Sequence, residues 1–370
     1  MRLLFVFFIL SGIPFSVFGE RRTIAGFVFN TETEIGLDGV HVFWQGAQNF
    51  GTITNQDGNF LIQTHPYSDT LVVSHVGFTT GLYPVKMHEE ELMIGISPKI
   101  YELSEVTVEA ISADAIMRNV IAFLSANHPA HPVYYSFFHR EVFFSGDSII
   151  NFMEEHTGII EHRRATFMIF NNNIRIDKSR LGYFTDEGRE MFENHHFVAL
   201  TRIIWDNPLF GFRDNIHPRH SRHFEYSFAG METIMDRECF IIDFDQKTAG
   251  RRIPFTRGRM YIDATTFAIV KEILKDRSGS RIKQVNYIES NGQWFLRNVF
   301  SQRPTSHRTT VYNFIRDAAF EDGFTRIGSL IPRLVKDRAT DFSDEYWEGF
   351  QSVPLPDWIK SRIEGSNHLQ

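Results

Sequence analysis

The sequence predicts a mainly β protein, with a small β-sandwich near its N-terminus, then one helix, then a long, curled antiparallel sheet. Three observations lead to this fold class. Of the 370 residues, 42% are apolar and 22% are charged, which is typical of a chain that folds around a core. Phe, Tyr and Trp together make up 14% of the chain, and aromatic side chains are enriched in strands. Finally, turn residues separate short runs of alternating apolar residues along most of the sequence.

Residues 1–19 have the pattern of a secretory signal peptide. Arg2 precedes an apolar segment from Leu3 to Phe18, and small Gly19 comes just before a polar stretch. The segment has about 16 residues, fewer than the ~20 that span a membrane as a helix, although a retained N-terminal anchor is the alternative. We expect cleavage after Gly19 and export to the periplasm or the outer membrane, with no transmembrane helix in the mature chain.

Residues 20–110 predict a first domain of about seven short strands. Its clearest turn is Asn55 to Gly58, where Asn and Asp can bond their own backbone and Gly tolerates positive φ. So many strands in fewer than about 100 residues are typical of two packed sheets. The predicted strands are 23–29, 39–44, 51–54, 59–63, 69–75, 92–96 and 103–109.

This domain resembles the carboxypeptidase-regulatory-like domain. The resemblance is carried by Ile24-x-Gly26-x-Val28, Leu37-x-Gly39-Val40, Asn55-x-Asp57-Gly58-x-Phe60, Leu71-x-Val73-Ser74, Gly77-Phe78 and Leu103-x-Glu105-Val106. It implies a Greek-key sandwich, transthyretin-like or Ig-like, of a kind common in exported Bacteroidetes-type proteins. We expect no peptidase activity, because the single His-x-x-Glu, His88 to Glu91, lies at a sandwich edge and no large α/β domain follows.

A linker at 111–130 is predicted to contain a helix over residues 112–127. Ser112 is a good N-cap, and Pro129 lies just after the C-terminal end. We expect the apolar stripe of this helix to pack on the second domain, although a free, partner-binding helix is the alternative. The stripe consists of Ile116, Val120, Phe123 and Leu124.

Residues 131–335 predict a second domain that is a long antiparallel meander, or half-barrel. A sheet that is apolar on one face curls around whatever covers that face. Residues 336–370 form a tail with a short helix at 358–363. The strands of the meander are predicted at 134–144, 149–160, 166–176, 224–229, 239–245, 259–263, 268–274, 282–289, 294–300 and 308–314.

Within the meander, residues 258–272 resemble a strand-turn-strand of the half-barrel in periplasmic lipoprotein carriers. That resemblance implies a carrier of an apolar ligand or lipid. The order of all the parts resembles uncharacterised exported envelope proteins of the Bacteroidetes type, and it implies no activity.

Two groups of polar residues are candidates for chemistry. His217, His220 and His223 have the i, i+3, i+6 spacing of a helix face, but nearby prolines and arginines favour a surface loop over a metal site. Asp243 and Asp245 lie on one strand face some ~7 Å apart, near the spacing of paired glycosidase carboxylates. Solvated acids are the simpler interpretation. We therefore predict no catalytic residue, no metal and no cofactor.

The lone cysteine and the charge distribution limit the function further. Cys239 has no disulfide partner and lies among apolar residues, which predicts an inert core position. The formal net charge is −7, and residues 20–110 hold twelve acidic against four basic residues, so nucleic acid is not an expected partner. The basic run at 251–259 predicts a loop or a contact for an acidic partner.

Together these observations favour a non-catalytic, exported envelope protein with a binding or scaffold role. Its expected partner is an envelope protein, a glycan or an apolar ligand, and the oligomeric state is not predicted. One alternative is a periplasmic carrier of an apolar ligand. The other is an exported hydrolase that uses the 195–245 region, which requires His195, His217, His220 and Asp243 to converge.

Overall fold

The fold is described from a computed structural model. It describes residues 22–55, 57–75, 78–86, 89, 91–99, 112–129, 133–145, 149–162, 174–194, 216, 221–235, 237–247, 255–303, 308–316, 339–340, 354 and 361. The predicted signal peptide, the strand at 103–109 and all but one residue of the helix at 358–363 lie outside these ranges.

The first domain has seven described strands in two sheets, which confirms the predicted sandwich. One sheet has the order β4-β1-β7, with β7 parallel to β1, and the other has the order β3-β2-β5-β6. Two details differ from the prediction. β3 begins earlier, and β6 was not predicted, because it contains Gly and Pro and none of its four residues is buried. The strands are β1 (Thr23–Asn30), β2 (His41–Trp44), β3 (Ala47–Ile53), β4 (Asn59–Gln63), β5 (Thr70–Ser74), β6 (Gly81–Pro84) and β7 (Glu91–Ile96).

The apolar positions of the sandwich face inward as the alternation predicts, and both sheets contribute to one buried cluster. At the turn before β4, Asn55 Oδ1 accepts hydrogen bonds from the backbone N–H groups of Asp57 at 3.0 Å and Asn59 at 2.9 Å. Gly58 has φ +88°, and a Cβ there would lie 2.4 Å from the carbonyl oxygen of Val28. This turn therefore requires glycine.

Helix α1 (Ala113–Asn127) forms one residue inside its predicted start, with Ser112 as the N-cap. Ser112 Oγ accepts from the backbone N–H of Ala115 at 3.2 Å. The predicted apolar stripe is wrong at one position, because Phe123 is 47% exposed while Met117 is buried. At 100° per residue the buried stripe centres between Met117 and Val120, which leaves Phe123 at its margin.

The second domain is one large sheet of eleven described strands with the order β11-β12-β13-β14-β15-β16-β17-β8-β9-β10-β18. Strands β11 to β17 form the predicted meander, and β17 then pairs with β8. Its strands are β8 (Val133–Ser145), β9 (Ile149–His162), β10 (Ile174–Tyr183), β11 (Phe224–Ile234), β12 (Arg237–Gln246), β13 (Arg257–Asp263), β14 (Ile269–Lys275), β15 (Ile282–Ser290), β16 (Gln293–Arg303), β17 (Arg308–Arg316) and β18 (Ala339–Thr340).

Two elements near β10 differ from the prediction. The strand predicted at 166–176 lies at 174–183, and its first part falls outside the described residues. A second helix, α2 (Asp186–Asn194), was not predicted, because its sequence is mostly polar and lacks a wide apolar stripe. It packs near β9, where Gly188 approaches the backbone of Asn151.

Helix α1 packs on the large sheet as predicted. Its buried side chains share one cluster with those of Tyr135, Phe240, Tyr287 and many other sheet residues. Two sandwich residues, Phe43 and Val72, belong to the same cluster, so the two domains are in contact. Among the described residues, no helix is both long and apolar enough to cross a membrane.

Candidate functional site

A cavity of about 1270 Å³ opens at the β11 end of the large sheet. Most of its lining comes from β11 to β14, and Asp114 in the first turn of α1 adds to it. The side chains around it are mainly charged or aromatic. The charged ones are Asp114, Glu225, Asp243, Asp245, Lys247, Arg257, Arg259 and Lys275, and the aromatic ones are Tyr226, Phe244 and Tyr261.

Two of the residues that line the cavity, Arg259 and Asp243, form an ion pair. Arg259 Nε donates to Asp243 Oδ1 at 2.6 Å, and Arg259 Nη2 donates to Asp243 Oδ2 at 2.8 Å. Hydrogen bonds to Asp243 raise the pKa of Arg259, so the guanidinium stays charged. Asp245 is exposed and lies opposite Arg257 in the strand register. Asp243 is therefore paired with Arg259, whereas Asp245 is an exposed acid opposite Arg257, so the two aspartates do not form a free carboxylate pair.

Tyr226 connects the cavity to α1. Burial, and then the negative charge of Asp114, raise the pKa of its hydroxyl, so it stays protonated as a donor. That hydroxyl donates to the carbonyl oxygen of Ser221 at 3.5 Å. The cavity wall thus contains a fixed aromatic ring beside the first turn of the helix.

Further along β11 lies a partly exposed aromatic patch. Phe228 is 44% exposed and meets Phe240 edge-on at 6.4 Å between ring centroids. Phe267 stacks on Phe240 at 6.2 Å and on the half-exposed Phe123 of α1 at 6.2 Å. No described strand pairs with the outer edge of β11. We call the cavity, this edge and the patch of Phe123, Phe228, Phe240 and Phe267 the β11 surface.

Only some of the predicted site residues lie within the described ranges. His195, His217 and His220 lie outside the described residues, so their convergence with Asp243 stays a prediction. His223 ends a short 3-10 turn, Ser221–His223, and its carbonyl oxygen accepts from the backbone N–H of Lys247 at 2.9 Å.

Cys239 is fully buried, as predicted. Burial raises the pKa of its thiol to about 12, with the charges of Asp263 and Glu232 adding to the effect. A thiol of this kind is a poor nucleophile. The basic run at 251–259 was predicted as a loop or a contact for an acidic partner, with a strand starting at Arg259. In the structure that strand, β13, begins two residues earlier, at Arg257.

Sequence analysis missed a buried cluster on the hairpin of β8 and β9. His139, Glu154 and His156 present side-chain N and O atoms that all lie within 4.8 Å of one another. His139 and His156 stack at 5.4 Å between ring centroids, and His156 Nδ1 lies 2.8 Å from Ser179 Oγ on β10. The only signal in the sequence is that two short motifs, His139-x-Glu141 and Glu154-x-His156, fall in two consecutive predicted strands, 134–144 and 149–160.

The opposite face of the same hairpin carries a buried ion triad. Glu155 accepts from Arg140 Nε at 2.5 Å and from Arg180 Nε. Burial acts to raise the pKa of Glu155, but the two arginines outweigh it and hold the pKa below its usual range. The triad joins β8, β9 and β10, and its satisfied carboxylate indicates a structural role.

The first domain is similar to a known protein family. Residues 24–108 match the family model of the CarboxypepD_reg-like domain, which confirms the resemblance in the sequence. No curated protein matches the sequence.

Several solved structures are similar to part of the chain. A DUF1329 family protein from Desulfovibrio piger is 12% identical, with 58% of this chain and 96% of that chain covered and a TM-score of 0.33. A LolA superfamily protein from Nitrosomonas europaea is 10% identical, with 55% and 92% covered and a TM-score of 0.30. An outer membrane lipoprotein-sorting protein domain from Vibrio parahaemolyticus is 9% identical, with 57% and 95% covered and a TM-score of 0.34. The last belongs to the class that residues 258–272 resemble, but TM-scores this low assign neither a ligand nor a partner.

Proposed function

We propose that this chain is an exported, non-catalytic binding protein of the cell envelope, and that it binds another envelope protein along the β11 surface. The observation that carries the proposal is the coincidence of three features on one terminal strand. The outer edge of β11 has no described partner strand, a cavity of about 1270 Å³ lies at one end, and exposed Phe228 lies further along. An extended polypeptide that adds a strand to a sheet edge uses such an arrangement.

The chemistry of the cavity favours a polypeptide over a lipid. Four acidic and four basic side chains line it, so its charges balance. A partner that presents both signs of charge complements such a lining better than an acyl chain does. The face of the sheet that an apolar ligand would need is instead packed with α1 side chains, among them Ile116 and Val120.

Site-specific photo-crosslinking in intact cells that produce the protein tests where a partner binds. A photoreactive amino acid replaces Phe228 or Asp245, and a matched control replaces Met93, an exposed apolar residue of the sandwich. We expect one and the same polypeptide to be captured from positions 228 and 245 and not from position 93. Capture of a glycan or lipid alone, or equal capture from all three positions, contradicts the proposal.

Charge reversal then tests the contribution of the cavity to affinity. Arg257 and Lys275 are exposed, lie opposite each other in the register and line the cavity, so changing them leaves the core intact. We expect Arg257→Glu with Lys275→Glu to weaken binding of the captured polypeptide by about tenfold or more, which is about 1.4 kcal/mol. Arg277→Glu, at an exposed position outside the cavity lining, is the control and leaves the affinity unchanged. An equal loss in both variants indicates a non-specific charge effect.

A further inference from the structure

We propose that His139, Glu154 and His156 form a binding site for a divalent transition metal ion, with Zn²⁺ the best-fitting ion. The three residues lie on adjacent strands of one hairpin, far along the sheet from the β11 surface. Their candidate ligand atoms all lie within 4.8 Å of one another. Two imidazoles and a carboxylate are a ligand set that Zn²⁺ accepts in proteins.

The strand register brings the ligands to one face. His139 lies opposite His156, and Glu141 lies opposite Glu154. Because side chains alternate along a strand, all four residues share a face of the hairpin. Their exposed fractions are 0%, 0%, 0% and 5%, so solvent competes little for the ion.

The separation of two ligands matches the size of the ion. His156 Nε2 and Glu154 Oε2 lie 3.5 Å apart. Two ligands at ~2.05 Å from a tetrahedral Zn²⁺ are about 3.3 Å apart. Binding therefore requires only a small movement of these two side chains. The second imidazole is also close, because a ring nitrogen of His139 lies within 4.8 Å of the candidate ligand atoms of His156 and Glu154.

The other ring nitrogen of His156 has the partner that a metal-bound imidazole uses. Its Nδ1 lies 2.8 Å from Ser179 Oγ, and Ser179 on β10 is fully buried. When Nδ1–H donates to this hydroxyl, the lone pair of Nε2 points toward Glu154. Outer hydrogen bonds of this kind fix the tautomer and the ring orientation of histidine ligands.

The charges on this face also favour a cation. Glu141 and Glu154 lie directly opposite each other on this face, and both are buried. Arg140 and Arg180 lie on the other face of the hairpin, with Glu155 between them. A divalent ion bound by the two histidines and Glu154 has this carboxylate as its charged ligand. Such an ion ties β8 to β9 across the sheet.

Metal content of the mature chain, expressed without a histidine tag, tests the site. The protein is incubated with Zn²⁺, desalted and analysed by mass spectrometry of the metal, and Co²⁺ is titrated separately while visible absorption is recorded. We expect about one Zn²⁺ per chain, d–d bands of Co²⁺ with nitrogen and oxygen ligands, and a higher melting temperature with metal.

Matched variants locate the binding. We expect His139→Gln and Glu154→Gln to weaken Zn²⁺ binding by about 100-fold or more. His128→Gln removes a histidine that is equally buried but lies against Trp294 and Ile269, away from the hairpin, and it is expected to keep the metal. The proposal is overturned if the native chain retains no metal, or if the variants and the control lose it equally. Should the variants fail to fold, the Co²⁺ titration of the native chain decides.

Discussion

Among single residues, Glu272 on β14 is a buried acid whose protonation links the stability of the chain to pH. It is fully buried, and Tyr287 Oη donates to its Oε2 at 3.2 Å. Burial raises its pKa to about 8, although the hydrogen bond from Tyr287 and the charge of Lys283 act in the opposite direction. Between the ordinary pKa of 4.5 and about 8, the folded chain therefore holds a proton that the unfolded chain has lost. Stability contributed by this site falls as pH rises through that window.

Glu272→Gln tests this linkage, because glutamine keeps an oxygen acceptor for Tyr287 and cannot ionise. We expect the variant to be about 2 kcal/mol more stable than the native chain at pH 7, with a flatter stability curve between about pH 5 and pH 8. Urea unfolding across that range measures the difference. Glu238→Gln, at an exposed position of β12, is the control and keeps the native pH dependence. An unchanged slope for Glu272→Gln shows that this carboxyl ionises equally in both states.

The buried cluster of His139, Glu154 and His156 could not be predicted from the sequence. The register of β8 and β9, which includes a bulge between Phe143 and Phe144, places His139 and Glu154 on one strand face. It does not determine that this face is buried, because burial depends on which strands pair with β8 and what covers them. A histidine beside a glutamate on an exposed hairpin has no special chemistry. That His139 and Glu154 are buried close together is therefore visible only in the folded sheet.

Among the elements, helix α1 carries both a fully buried side chain and a half-exposed one. Ile116 is fully buried in the cluster shared with the sheet, whereas Phe123 is 47% exposed. We expect Ile116→Ala to lower the free energy of unfolding by about 3 kcal/mol, since it leaves a cavity. Phe123→Ala removes a larger side chain, yet we expect it to cost less than about 1 kcal/mol. Chemical denaturation of both variants measures the contrast. A larger loss for Phe123→Ala means that its stacking on Phe267 matters more than burial.

Local patterns predicted the elements better than their pairing. Ser112 as the cap and the apolar stripe from Ile116 fixed α1 to within one residue, because both signals are local in sequence. The place of β8 beside β17 has no such signal, since their partners, such as Phe143 and Arg308, lie far apart along the chain. The sequence therefore predicts a meander but does not specify that β8 to β10 extend the sheet beyond β17.

At the scale of the whole molecule, the sandwich and the large sheet form a shared, partly polar interface. Arg297 Nη2 donates to the carbonyl oxygen of Gly51 at 2.7 Å, and Ile53 packs with Phe300. Burial lowers the pKa of Arg297 to about 10 and that of Lys271 to about 8. Burial also lowers the pKa of His41 to about 3, with the charge of Lys271 adding to this, so His41 is neutral at pH 7. Such an interface couples the two domains.

Arg297→Ala tests that coupling. The substitution leaves the Gly51 carbonyl without this donor at a part-buried contact, which costs about 1 kcal/mol. We expect the native chain to melt in a single calorimetric transition. Because the loss in Arg297→Ala falls on the interface rather than on either core, we expect this variant to melt in two transitions, with the small sandwich melting first. Arg277→Ala, at an exposed turn position, is the control and keeps a single transition. If Arg297→Ala instead melts in one step at the native temperature, the apolar contacts of Phe43, Val72 and Ile53 suffice to hold the domains together.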